Sequence, residues 1–429
     1  MRILAKSVLF NQCVFSPTAW LVGLLIGMGH VNVQADPPRS IALTDPLPYG
    51  TDAVDYFNDD TEDVLAHWRQ TVDLNTAPLK THPSRGYLDG LLAELDIPIS
   101  SQMLVFTKTA LNPRLISPQT PRAIYFNDDV SIGWVPGAES LEIAAVDPTR
   151  GVIFATLAQP HAEVDRPLLF RREQRCLACH AGSATLKVPG GVIKSFLPDK
   201  NGKPIQGYSR VSHELDFHKR FGGWYVTGRH GEADHRGNIF GDVKDSAGRM
   251  NLIRLDSLVD TSPYPSPHSD IVAQLVFHHQ MHGWNLLIRA GMEHRLNRRS
   301  DVEERLLRYL LFVDEAPLPA PVTGTSDFAR EFTAHGTTDS QGRSLREFDL
   351  KTRLFRYRLS YLVDSQAFEG LPTPVRQRLA TRLAGILTRP DCGSPFDRLP
   401  FAERTAIWEI LRETNPKFTA LSDSANATN

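Results

Sequence analysis

Leu141-Glu-Ile-Ala-Ala-Val146 and Val152-Ile-Phe-Ala-Thr-Leu157 are two short runs of apolar and β-branched residues, and between them stands Asp147-Pro-Thr-Arg-Gly151. Runs of this length, interrupted by Asp, Pro and Gly, read as two strands and a turn. Working outward, Gln102 to Lys108, Ala123 to Phe126 and Val130 to Val135 are of the same kind, and Asn127-Asp128-Asp129 supplies turn chemistry between two of them. Adjacent strands with short polar connections predict an antiparallel meander. Before it, Thr61 to Val72 and Arg85 to Leu95 have helical spacing, while residues 36 to 60 are rich in Pro and Asp and predict an arm without regular structure. After it, Gly190 to Phe196, Ile205 to Val211 and Trp224 to Thr227 read as strands, with Pro198 to Lys203 as a hairpin turn. From Asp270 the spacing is mostly helical: Ser269 to Arg295, Asp301 to Phe312, Leu345 to Phe368, Pro374 to Leu387 and Phe401 to Arg412, with a linker at Pro317 to Gly342. The expected fold class is α+β, an antiparallel β region followed by a mainly helical C-terminal region.

Residues 176 to 180 read Cys176-Leu177-Ala178-Cys179-His180. On a helical turn two thiols three residues apart can reach the two vinyl groups of one porphyrin, and the next residue brings an imidazole under the iron. This is the attachment signature of c-type haem. A zinc site would need a second Cys or His pair nearby, and the only later cysteine, Cys392, lies more than two hundred residues on. A thioredoxin-like dithiol would need a strand-to-helix junction within a parallel unit, whereas the residues before Cys176 are Phe170-Arg171-Arg172-Glu173-Gln174-Arg175 and follow a Pro-containing stretch. The expected cofactor is therefore one covalent haem c.

The start of the chain reads as a secretory signal peptide, residues 1 to 35. Arg2 and Lys6 form a positive end, Ala19 to Met28 is an apolar run too short to span a bilayer, and Val33-Gln34-Ala35 is a small-residue cleavage site before Asp36. The expected location is the periplasm or the outside of the cell, with no membrane span after cleavage. Of four cysteines, Cys13 leaves with the signal, and the odd number remaining argues against a disulfide framework. Removing Arg2 and Lys6 from 47 basic residues leaves 45 against 49 acidic ones, a net charge of −4, which gives no reason to expect nucleic-acid binding. The regions expected are 36–165 with the meander, 166–260 as the haem-binding part and 261–429 as the helical part.

For the second axial position the sequence offers His213, His218, His230 and His235, all soon after the motif. His230, between Gly228 and Gly231, is the preferred candidate because small neighbours allow close approach to a macrocycle; His213, His235 and His279 are the alternatives. His278-His279-Gln280-Met281-His282 lies on the long helix, with His278 and His282 on one face; the Glu that a zinc-protease pattern requires after the first His is absent, and the stripe Ile271, Leu275, His278, His282 reads mainly as core. Arg171, Arg172 and Arg175 read as a solvated face. Asp199-Lys-Asn-Gly202 reads as a hairpin turn, since the acidic residue closing a calcium loop is missing.

The motif resembles that of c-type cytochromes. Thr107 to Val135, with Ala123-Ile-Tyr-Phe-Asn-Asp-Asp129, and Gly222 to Asn238, with Gly222-Gly-Trp-Tyr-Val-Thr-Gly-Arg-His-Gly231, look like large single-haem secreted bacterial proteins described only as cytochrome c domain proteins. The resemblance implies haem binding and electron transfer, with thioethers at Cys176 and Cys179 and His180 as proximal iron ligand. It departs from small cytochromes c in size and in the methionine that these present some tens of residues on, since the first after this motif is Met250. Three classes of function compete: an electron carrier with both axial positions filled, a haem enzyme open to a small oxidant such as peroxide or a nitrogen oxide, and a haem-based sensor. About 394 residues around one haem favour an oxidoreductase component over a small shuttle, with a redox protein or a small oxidant or reductant as partner.

Overall fold

The β pattern folds as its alternation demands. In the computed structural model, which describes residues 37–71, 79–160, 170–205, 207–241 and 248–426, the elements before the motif are β1 (Arg39–Ser40), α1 (Val64–Thr71), α2 (Leu88–Glu94), β2 (Met103–Val105), β3 (Arg122–Phe126), β4 (Val130–Trp134), β5 (Ser140–Asp147), β6 (Gly151–Ala158) and β7 (Phe170–Arg172). Strands β2 to β7 form one six-stranded sheet in sequence order, every neighbouring pair antiparallel. The β5–β6 hairpin sets Leu141 opposite Leu157 and Ala145 opposite Ile153. Its turn is held by Asp147 Oδ1, which accepts from the backbone N–H groups of Thr149 and Arg150 at 2.8 and 2.7 Å. The expected signal peptide lies outside the described residues. Pro38–Asn429 forms one compact unit.

Both faces of the sheet are covered, and the period of two sorts side chains between them. Leu104, Ala123, Tyr125, Ile132, Trp134 and Leu141 pack with Leu65 and Trp68 of α1 and Leu88, Leu91 and Leu92 of α2. Met103, Val105, Ile124, Phe126, Val152 and Phe154 pack with the long helix.

The remaining elements are α3 (Leu177–His180), β8 (Lys194–Ser195), β9 (Ser209–Arg210), α4 (Ile271–Arg295), β10 (Arg298–Arg299), α5 (Val302–Leu310), α6 (Phe328–Ala334), α7 (Gln366–Glu369), α8 (Thr373–Thr388), α9 (Phe401–Thr414) and α10 (Pro416–Asn426). The α+β class with an antiparallel sheet and a helix-rich C-terminal part stands. Helix α4 is buried almost all round, as a central helix must be. Its first turn is capped by Asp270, whose Oδ1 accepts from Val272 N at 2.7 Å and Ala273 N at 3.2 Å. Although otherwise irregular, the N-terminal arm joins β1 to β10 in a short parallel pair.

Three expectations differ from the structure. Leu345 to Phe368 is not a helix: Asp349 Oδ1 takes the N–H groups of Lys351, Thr352 and Arg353 in a tight turn, which brings Phe348 opposite Phe355 and mimics helical spacing. The linker Pro317 to Gly342 contains α6, because Phe328 and Phe332 share a face and stack at 5.6 Å. Among the described residues between Gly190 and Thr227, only the two-residue pair β8–β9 is regular strand. Trp224 bridges to Val105 at the sheet edge and Thr227 to Asp270.

Candidate functional site

Edge strand β7 delivers the chain to the motif within four residues. Glu173 caps the turn that follows, its carboxylate accepting from Arg175 N at 3.2 Å, and residues 174 to 180 then wind as one 3-10 turn and the short helix α3. Cys176 and Cys179 are free thiols three residues apart. Together with His180 they line a cavity of about 550 Å³, within the roughly 300–1,000 Å³ usual for small-molecule and cofactor sites.

The His180 ring is oriented by the backbone. Its Nδ1 lies 2.9 Å from the Gly190 carbonyl oxygen, and since a carbonyl only accepts, Nδ1 carries the proton and Nε2 keeps its lone pair. Burial, opposed by that hydrogen bond, lowers the imidazole pKa to about 4, so the ring is neutral near pH 7. A neutral imidazole with Nδ1–H bonded to a carbonyl is the state in which His binds a metal. Phe154 packs on the ring at 4.7 Å. Burial and the carboxylates of Glu142 and Glu173 push the Cys176 thiol up to about 11, so it stays protonated and does not act as a thiolate nucleophile at neutral pH.

The cavity lies between the sheet face of Ile124, Val152 and Phe154 and one stripe of α4, where Phe277, Met281 and Trp284 follow at i, i+4 and i+7. Gly190 and Gly191 lie against that helix. A Cβ at Gly190 would stand 2.0 Å from Asn285 Oδ1, and one at Gly191 would stand 2.5 Å from Met281 Sδ. Only glycine admits so close an approach. Charged residues also line the cavity: Arg122 pairs with Glu142 at 3.0 Å, Arg175 with Glu173 at 2.8 Å, and Lys108 and Lys194 complete the set. On the lining side chains, two buried donors have no acceptor among the described residues, Arg122 Nε and Trp284 Nε1. Each such group costs about 1–3 kcal/mol when left unpaired.

The structure brings Cys176, Cys179 and His180 together at one cavity, and none of the expected distal candidates, His213, His218, His230, His235 and His279, lines it. His230, the preferred one, donates from Nδ1 to Ala233 O at 2.7 Å, while its Nε2 accepts from Asn251 N at 3.2 Å. His235 is buried beside it, with Nε2 3.2 Å from His230 Nε2 and Nδ1 accepting from Gly237 N. His213 and His279 face each other, Nδ1 to Nδ1 at 2.7 Å, stacked with Tyr309, and His279 Nε2 is 2.6 Å from Ser360 Oγ. They form a separate buried pair. His278 and His282 are buried as well, the core reading of that stripe, with Arg210 against the His282 ring. Arg172, by contrast, is not solvated: it reaches the backbone carbonyls of Tyr56 and Asn58 and covers the Tyr56 ring.

Neither protein-family models nor curated proteins nor solved structures give a match to this chain. Two thiols at the cavity can form thioethers, and one neutral imidazole can ligate a metal. Met281 is the residue that the sequence reading passed over. The stripe chosen on α4 was Ile271, Leu275, His278 and His282, whereas the neighbouring stripe of Phe277, Met281 and Trp284 is the one that meets the cavity.

Proposed function

We propose that this chain is an exported c-type cytochrome that carries one covalent haem and works in electron transfer as part of a redox system. The observation behind this reading is the cavity of about 550 Å³, lined at once by Cys176, Cys179 and His180, with the His180 Nδ1 proton already given to Gly190. The residues fit the group: thiols at helical spacing for thioethers, an Nε2 lone pair for iron, and apolar and aromatic walls from Ile124, Val152, Phe154, Trp224 and Phe277 that exclude water. A haem held there supplies one-electron exchange at its iron. Met281, which lines the same cavity, is the residue that would hold the iron from a second side chain, in place of His230, His213, His235 or His279. Two side chains on the metal would favour an electron carrier over an enzyme with an open site. Export to the periplasm or beyond rests on the positive, apolar and small-residue segments of residues 1 to 35.

The test is production in a bacterium with haem-maturation machinery. Intact mass is expected to fit a chain starting at Asp36 plus one haem. The double variant Cys176→Ala, Cys179→Ala is expected to lose the haem and Cys392→Ala to keep it. Haem that extracts from the wild type into acidified organic solvent refutes the reading.

A further inference from the structure

The carbonyl that fixes the state of the His180 ring belongs to a segment with no conformational preference of its own. Gly190 and Gly191 stand side by side outside any helix or strand. Glycine restricts its backbone little, so the direction of the Gly190 carbonyl has to be set from outside. Backbone groups do part of this: Gly190 N donates to His180 O at 2.8 Å, and Pro189 O accepts from Val152 N at 3.0 Å. The next carbonyl, Gly191 O, accepts from the Asn285 amide, whose Nδ2 lies 2.8 Å away. Asn285 is buried on α4, and its Oδ1, which stands against Gly190, has no donor among the described residues. The hydrogen bond that its side chain makes there is thus the one to the glycine pair.

The same face of α4 carries Met281 one turn before and Arg289 one turn after. A Cβ at Gly191 would meet Met281 Sδ, and Arg289 Nη1 donates to Leu186 O at 3.0 Å, in the loop between His180 and Gly190. We propose that Asn285 is a positioning residue for His180: through Gly191 it holds the Gly190 carbonyl where it takes the imidazole Nδ1–H, and so keeps the Nε2 lone pair in place for a metal. This rests on the haem reading. A firm Nδ1–H···O bond makes the imidazole a more basic ligand, which favours oxidised iron. Loss of the Asn285 donor frees the glycine pair, weakens that bond and raises the reduction potential.

The experiment uses the haem-loaded protein, with the reduction potential and the exchange rate of the His180 ring proton, followed by magnetic resonance, as readouts. Asn285→Leu keeps the size of the side chain and removes the donor; Gly190→Ala keeps the amide but sets a methyl against its Oδ1. Each is expected to raise the potential and to speed exchange of a ring proton that exchanges slowly in the wild type, while intact mass still shows one covalent haem. Asn285→Ala is expected to raise the potential as well, and Gly190→Ala added to it to change nothing further, because the group that the methyl meets is gone. Covalent haem in Asn285→Leu with wild-type potential and wild-type ring-proton exchange overturns the assignment and leaves the haem reading standing; absence of covalent haem from the wild type overturns the haem reading and the assignment with it. If the Asn285 variants do not fold, the wild type and Gly190→Ala decide: a His180 ring proton exchanging at the bulk rate in the wild type, or a wild-type potential in Gly190→Ala, refutes the proposal.

Discussion

Asp270→Ala tests how the helical wall of the cavity is held in place. Asp270 is buried, and its Oδ1 accepts from Val272 N and Ala273 N at the start of α4. Its Oδ2 accepts from Thr325 N at 2.7 Å, Ser326 N at 2.8 Å and Ser326 Oγ at 3.0 Å, tying the loop before α6 to the same carboxylate. Loss of an N-cap costs about 0.5–2 kcal/mol. The loop N–H groups are left without their acceptor and add about 1–3 kcal/mol each where water does not replace it. Ser326 Oγ keeps Ser100 O as an alternative acceptor and adds little. The total comes to roughly 2.5–8 kcal/mol, a large part of the 5–15 kcal/mol typical of a folded domain. Asp270→Asn keeps one acceptor oxygen and turns an NH₂ toward the other set of donors, so it is expected to recover about half the loss at most. Urea unfolding followed by circular dichroism measures both. If Asp270→Ala unfolds within about 0.5 kcal/mol of the wild type, or Asp270→Asn matches the wild type, the carboxylate does not join helix to loop as argued.

Met281→Ala is expected to turn a low-spin haem spectrum into a high-spin one that binds carbon monoxide, whereas His230→Ala should leave the spectrum unchanged. Gly191→Ala, whose methyl would meet Met281 Sδ, should move the spectrum the same way as Met281→Ala. The reverse pattern would return the ligand to His230. Acid should destabilise the fold. Burial lowers the pKa of His213, His278, His279 and His282, so each stays neutral when folded but takes a proton on unfolding below its ordinary 6.5. Their contribution is complete above that pH and is lost as pH falls toward the folded values, about 3 for His279. Glu315, pushed up to about 7 by burial, has the opposite sign: its contribution is complete below its ordinary 4.5 and fades as pH rises. Asp129 and Asp364 are raised by burial too and share the sign of Glu315. The four imidazoles outweigh these three carboxyls, and His279→Gln should flatten the acid limb by about 1.4 kcal/mol per pH unit; an unchanged slope in unfolding free energy would show that His279 is not neutral in the fold.

Where apolar and β-branched runs have turn chemistry between them, as from Arg122 to Ala158, the strands and their antiparallel order are legible in the sequence, while the register is seen only in the pairing itself. Helices with a long apolar stripe, such as α4 with its Asp270 cap and α8 with Pro374 in its first turn, are equally legible. Failure comes where short-range spacing arises from another cause. Phe348 and Phe355 recur like helix residues because an Asp349 turn folds them onto each other. The candidate site divides in the same way. Cys176, Cys179 and His180 are neighbours in sequence because they serve one turn. Met281 and Trp284 reach the same cavity across a hundred residues, and only the packing of α4 on the sheet places them there. Nearness in the chain and small glycine neighbours favoured His230, whose nitrogens are engaged by Ala233 O and Asn251 N.

The placement of the cavity walls also fixes an order of events. A chain that emerges from its N-terminus presents the sheet first, then Cys176 to His180, and only much later Phe277, Met281 and Trp284. Until α4 has emerged and docked, the two thiols and the imidazole lie on an open shelf with one wall missing. The final covering element is clamped further by a strand pair between Arg39–Ser40 and Arg298–Arg299. A group attached at Cys176 and Cys179, as proposed, would meet a broad shelf before α4 closes over it and an enclosure afterwards.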